Sequence, residues 1–437
     1  MGSHGAGFNA KPGRQHGLQS PAVRPLEVGI IGAGTAGSAA ALFLSRAGHH
    51  VTIFERVPEP KAIGAGIVLQ PSGMSVLAAL GLLPPVVARG AVLRELYAET
   101  SKRRPVLKLA YSDVAGDLYG LGLHRGVLFQ TLFEAVKASP AITLKCAVGI
   151  EDLTRARDGR NLVVETDSRK EHGPFDLVVV ADGARSRLRD DTALKKTVKK
   201  YPWGALWFVG TDAEHRFHHR LYQVLSGTRR MMGLLPTGLG PTGQTPLVSL
   251  FWSLGARSLE QWRAAGLLPW KEEILRFAPE AAPLLEQIQS PDQVLFAEYH
   301  DVVMAQWNTD DVVYLGDAAH ATSPQLGQGC NLALVDAQVL AQCLAVSDAL
   351  PLALDAYSRA RDAHLDYYQF ATRWLTPFFQ SDLTWLAPLR DFGMPIATRV
   401  PWVRRQMVTA MCGNALWPLT GTLPLETRPL ALATQNG

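Results

Sequence analysis

Cysteine is scarce in this chain. Cys146, Cys330, Cys343 and Cys412 are the only four among 437 residues. None forms a C-x-x-C pair, and their spacing suits neither a zinc site nor a disulfide framework. No metal site is expected, and reduced thiols in a cytoplasm fit best. Long apolar runs are also missing. No stretch of about 18 uninterrupted apolar residues occurs, which argues against a spanning helix. The N-terminal segment lacks the apolar stretch of a secretory signal. The net charge is only +4, so nothing points to a nucleic-acid partner. The cationic cluster Lys195, Lys196, Lys199 and Lys200 reads as a solvated surface segment. What remains, 47% hydrophobic and 19% charged residues, is ordinary for a soluble enzyme with a sizeable core.

The order of elements predicts a mixed α/β chain. Residues 1–23 are Gly-, His- and Ser-rich and read as a disordered tail. Val28-Gly29-Ile30-Ile31 is a short apolar run ending in glycines, as a buried parallel strand does. Ala36 to Arg46 follows as a helix and His50 to Glu55 as a second strand. Helical periodicity marks Gly126–Lys137, Leu332–Val346 and Leu352–Ala371; Leu162–Thr166, Leu177–Ala181 and Val312–Leu315 read as strands. Between residues 196 and 299 the texture changes to short strand-like runs broken by Gly, Pro and Thr. These predict a mostly antiparallel sheet domain inserted into the first, which then spans 24–195 and 300–375. Residues 376–437 are expected to form a helical C-terminal region.

Gly32-Ala33-Gly34-Thr35-Ala36-Gly37 lies between the first strand and the first helix. In a dinucleotide fold Gly32 permits the tight turn, Gly34 lets a pyrophosphate approach the backbone, and Gly37 lets the helix pack on the sheet. Glu55 ends the second strand, where a carboxylate can accept the hydroxyls of an adenosine ribose; Arg56 follows it. Two further apolar strands run into polar motifs. One is Asp182-Gly183-Ala184-Arg185-Ser186, continuing to Arg189; the other is Gly316-Asp317-Ala318-Ala319-His320, followed by Pro324, Gly327, Gly329 and Asn331.

With these three motifs in order and in strand context, the chain resembles the single-component flavoprotein aromatic hydroxylases, the group of salicylate hydroxylase and para-hydroxybenzoate hydroxylase. The resemblance covers about residues 26 to 375. It implies a Rossmann-like FAD-binding domain and noncovalent FAD, with NADH or NADPH as co-substrate. It implies that Gly32, Gly34 and Gly37 face the pyrophosphate, Glu55 the ribose and Asp317 the ribityl chain. Arg125 matches the arginine that reaches FAD, Asp182 with Gly183 an acid linked to FAD and pyridine nucleotide, and Pro324 the proline beside the flavin ring. Gly327-Gln328-Gly329 opens a helix whose amides face the flavin edge, and Gly64-Ala65-Gly66-Ile67 is a glycine-rich loop against the ring. Ser72 and Val335 depart from the commoner pattern without touching this core.

The activity implied is hydroxylation of an aromatic small molecule with dioxygen, through a flavin C4a-hydroperoxide. Among titratable residues of the inserted sheet, Tyr222 and His300 rank first as groups that activate the ring, ahead of His218, His219 and Tyr299. His320 reads as structural. Trp203, Trp207, Met231, Met232 and Trp252 are candidates for the substrate wall. Two alternatives stand beside this: a ubiquinone-pathway type of ring hydroxylase, whose aromatic tail touches a membrane surface, and a non-catalytic FAD-binding protein.

Overall fold

The computed structural model describes residues 24–61, 64–189 and 194–416. The expected tail at 1–23 and the end of the chain after 416 lie outside the described residues. Five parallel strands form one sheet, in the order Val312–Tyr314, Leu177–Val180, Glu27–Ile31, His50–Glu55, Ile142–Cys146. The middle strands read as near-continuous Val and Ile because both faces are covered, as buried parallel strands require. The helices Thr35–Arg46 and Gly329–Val346 pack against each other beside this sheet. The second of these is long and apolar enough to cross a membrane by length and composition alone. It nevertheless buries Leu332, Leu334, Val335 and Leu340 in the main core and packs against the 30-residue helix Leu350–Phe379.

The second large sheet has nine strands. Five of them, Lys195–Thr211, His219–Ser226, Arg230–Gly238, Leu247–Gly255 and Leu295–Met304, come from the segment expected to form the inserted domain and its edge. The other four, Gly66–Leu69, Ala91–Thr100, Pro105–Ala110 and Gly120–His124, precede residue 125. The boundaries 24–195 and 196–299 therefore divide this sheet, and the correction has a simple cause. Ala91–Thr100 pairs with His219–Ser226 in parallel, Tyr97 opposite Tyr222, across more than a hundred residues of chain. Local periodicity carries no signal of such a pairing. All other pairings in the sheet are antiparallel. A second core, with Met232, Leu234, Trp252 and Trp270, lies on one face of this sheet; the other face turns toward the parallel sheet and encloses a cavity. Helices Leu386–Ala397 and Pro401–Met411 follow, as expected of the C-terminal region up to residue 416.

Candidate active site

One cavity of about 500 Å³ runs between the two sheets. At one end is the first glycine motif. Gly32 has φ +100°, and a Cβ there would sit 2.6 Å from the Ala181 carbonyl oxygen. A Cβ on Gly37 would sit 1.9 Å from the Gly32 carbonyl, so these two glycines serve the turn and the helix contact. Gly34 differs: a Cβ there would meet nothing within 4 Å, and Gly34, Thr35 and Ala36 line the cavity. The helix that starts at Thr35 has no side-chain cap and no acid in its first turn. Its free amides and dipole therefore face open space, which is how a pyrophosphate is held. Glu55 accepts hydrogen bonds from the amides of Ala33 and Val57, each at 2.9 Å, and so fixes the turn. Arg56 beside it is exposed.

Asp182 lies behind this end. Its Oδ1 is buried with no hydrogen-bond partner, and burial pushes its carboxyl above the usual range. Asp182 itself does not line the cavity. Gly183 lines the cavity next to it. Arg125 also lines the cavity; its amide donates to the Ala65 carbonyl at 3.1 Å, and its side chain lies against Gly64. Gly66 and Ile67 complete this wall.

The Gly316 motif closes the other side of the cofactor end. Asp317 faces the cavity and opens the short helix Asp317–His320. Behind it, Asp336 Oδ2 accepts from the Gly316 amide at 2.8 Å and lies 2.6 Å from His320 Nε2, while Oδ1 accepts from Arg361 Nε at 2.7 Å. His320 is thus a buried structural group, as the sequence suggested. Pro324, Gly327 and Gly329 line the cavity, and the helix beginning at Gly329 again lacks a side-chain cap. Asn331 is a correction. It does not line the cavity. Its Oδ1 accepts from the Gln70 amide at 2.8 Å and its Nδ2 donates to the Val68 and Gly327 carbonyls, so its whole side chain ties the first strand of the large sheet to this turn.

The remaining wall is one face of the large sheet. Leu221 and Gln223 point into the cavity, so strand alternation sends Tyr222 to the opposite face. There its hydroxyl bonds Glu99 at 2.7 Å and Arg103 at 2.5 Å. Tyr222 is therefore withdrawn as a catalytic candidate. Trp207 and Met231 line the cavity; Met232 and Trp252, one step out of phase, belong to the second core, and Trp203 is buried elsewhere. His218 and His219 are exposed and away from the cavity. His300 does reach the cavity, and so does its neighbour Tyr299. A register shift between Lys200 and Gly204 on the paired strand lies beside them, and such a bulge re-aims side chains. Burial, helped by Arg185, holds the His300 imidazole below its ordinary range, and burial pushes the Tyr299 hydroxyl up to about 12. Leu93, Tyr111, Phe251 and Met411 also line this wall and carried no sequence signal.

The open Gly34 face and the two uncapped helix starts at Thr35 and Gly329 fit an FAD. Comparison with known proteins agrees. Residues 25–368 match the family described as "FAD binding domain". The chain is 29% identical over 365 residues to the kynurenine 3-monooxygenase of Salinispora arenicola, covering 77% of this chain and 76% of that one. It is 32% identical over 346 residues to the aurachin C monooxygenase/isomerase of Stigmatella aurantiaca, covering 77% and 85% respectively. The fold matches the crystal structure of pqsL, a probable FAD-dependent monooxygenase from Pseudomonas aeruginosa, with a TM-score of 0.73 at 23% identity over 85% of this chain and 100% of that one. The chain belongs to this FAD-binding family and is an FAD-dependent aromatic-ring monooxygenase that uses NAD(P)H and dioxygen.

Proposed function

We propose that this enzyme hydroxylates a neutral, electron-rich aromatic ring held against Trp207, Leu221, Met231 and Phe251. The observation that carries the reading is the continuity of the cavity. The phosphate-ready Gly34 turn and an apolar sheet wall bound the same space. In this reading Gly34 and the Thr35 helix hold the pyrophosphate, Glu55 the ribose, Asp317 the ribityl chain, and Arg125, Pro324 and the Gly327–Gly329 turn the ring system. FAD, when bound, takes reducing equivalents from NAD(P)H and activates dioxygen for transfer of one oxygen atom to the substrate.

Charge supports a neutral ring. Among the described residues, no lysine or arginine lines the sheet side of the cavity; Arg125 is at the cofactor end. The charged groups on the sheet side are Glu95, paired with Arg220 at 2.5 Å, and Glu298, paired with Lys200 at 2.5 Å. A carboxylated ring would find two acids and no counter-charge, and a buried unpaired charge is costly. The sheet excludes water. Tyr299 keeps its proton and is placed to donate a hydrogen bond to the ring. His300, neutral at neutral pH, is placed to accept a ring hydroxyl proton.

The test is a panel of neutral phenols, anilines and quinolones beside their carboxylated counterparts. NAD(P)H oxidation stimulated by the neutral rings, with product heavier by one oxygen, supports the reading. Preference for the carboxylated set would overturn the charge argument. NAD(P)H left unconsumed with every neutral ring would overturn the proposed substrate class.

A further inference from the structure

Helix Leu386–Ala397 is built inside out. Trp385, Leu389, Phe392 and Ile396 recur at the spacing of one helical face, and each is between 57% and 64% exposed. The opposite side buries Leu386, Ala387 and the guanidinium of Arg390. Arg390 is held there by Asp391, 2.7 Å away, and by the Gly227 and Phe378 carbonyls. An ordinary surface helix turns its apolar stripe inward. This one turns it outward, and Trp402, Val400, Trp374 and Phe370 on the adjoining helices and their link are exposed as well. A patch of this kind marks a contact surface.

Its charges identify the occupant. From Leu383 to Leu416 the only acid is Asp391, already engaged by Arg390. Asp382, just before this segment, pairs with Arg229 at 2.9 Å. Arg404 pairs with Asp113 at 3.3 Å. Arg399 and Arg405 are exposed at the end of the stripe, and no ion pair is formed by either among the described residues. A second copy meeting the stripe with its own residues 383–416 would bring these arginines only Asp391, already engaged by Arg390. An anionic headgroup layer supplies a free anion. Exposed tryptophans at 374, 385 and 402 with Leu389, Phe392 and Ile396, and exposed arginines at 399 and 405, are the composition of a helix lying in a lipid interface. The same segment reaches the active site: helix Pro401–Met411 starts beside exposed Trp402 and ends at Met411 on the cavity wall.

We propose that the exposed face of Leu386–Ala397, with Trp402, Arg399 and Arg405, docks the enzyme on an anionic lipid surface. The test is co-sedimentation of the full-length FAD-loaded enzyme with phosphatidylcholine vesicles, with and without phosphatidylglycerol. Two double variants run alongside, Phe392→Glu with Ile396→Glu and Arg399→Glu with Arg405→Glu. Sedimentation velocity is measured without lipid. All four side chains lie outside the cavity, so FAD content serves as the folding control. The expected result is partition that requires phosphatidylglycerol, weakens as salt rises, and falls at least tenfold in each variant with FAD content unchanged. Absence of partition even with phosphatidylglycerol present would overturn the proposal, and so would equal partition without it. So would partition that both variants retain, or a dimer in solution that the Phe392 variant dissolves.

Discussion

Asp336 Oδ2 lies 2.6 Å from His320 Nε2 with both side chains sealed from solvent, and this contact holds the Gly316–Asp317 turn against the helix behind it. Burial by itself raises the Asp336 carboxyl. His320, Arg361 and the Gly316 amide outweigh burial and hold it well below the usual carboxylate range. A depressed folded value means stability that is present above the unfolded value of about 3.9 and is lost as pH falls below it.

Replacing Asp336 with Ala strands Arg361 in the core. The expected cost is about 3–5 kcal/mol, read as a lower Tm at pH 7 and a smaller loss of stability on acidification below pH 4 than in the parent. A Tm within a degree or two of the parent would show that this cluster does not hold the turn.

The first glycine motif separates packing from binding. Gly37→Ala forces a Cβ onto the Gly32 carbonyl and should destabilise the fold itself. Gly34→Val meets open space, so the protein without cofactor should keep its Tm while FAD binding is lost. Thermal unfolding and FAD titration of both variants check this. The expected pattern is a split between them, and equal FAD affinity in Gly34→Val and the parent would remove the pyrophosphate from this turn.

Asp317 has its carboxylate toward the cavity and no structural duty comparable to that of Asp336. Asp317→Ala should weaken FAD by about 1–3 kcal/mol, roughly 5- to 150-fold in Kd. Flavin fluorescence titration measures it, with unchanged affinity as the contrary result.

Tyr222 and His300 give opposite expectations. Tyr222→Phe breaks bonds to Glu99 and Arg103 on the far face of the sheet and should leave kcat near the parent value. His300→Gln should lower kcat for a phenolic ring by about a hundredfold. In the parent, kcat/KM should fall as pH drops through a His300 value below 6.5, because the neutral imidazole is the acceptor. That acid limb should vanish in His300→Gln. Its persistence would assign the limb to another group.

The first glycine turn is legible in the sequence because Gly32 and Gly37 answer local demands, a left-handed turn and a close helix contact. The substrate wall was only half legible. Alternation tells that Leu221 and Gln223 share a face but not which face, so it cannot say whether Tyr222 meets the cavity. Asn331 lies in a cofactor motif yet serves as a cross-link to Gln70, 261 positions away, a partner that no local pattern names. Tyr111 and Met411 reach the wall from distant segments, and Tyr111 is fixed there by a 2.7 Å bond to Gln70.

The central claim is that ring, dioxygen and reduced cofactor meet in one cavity. Turnover with NAD(P)H under labelled dioxygen, using whichever neutral ring stimulates it most, tests that directly. The expected result is one labelled oxygen in the hydroxylated ring for each NAD(P)H consumed under saturating substrate. Label recovered only as hydrogen peroxide, with every stimulating compound returned unchanged, would contradict it.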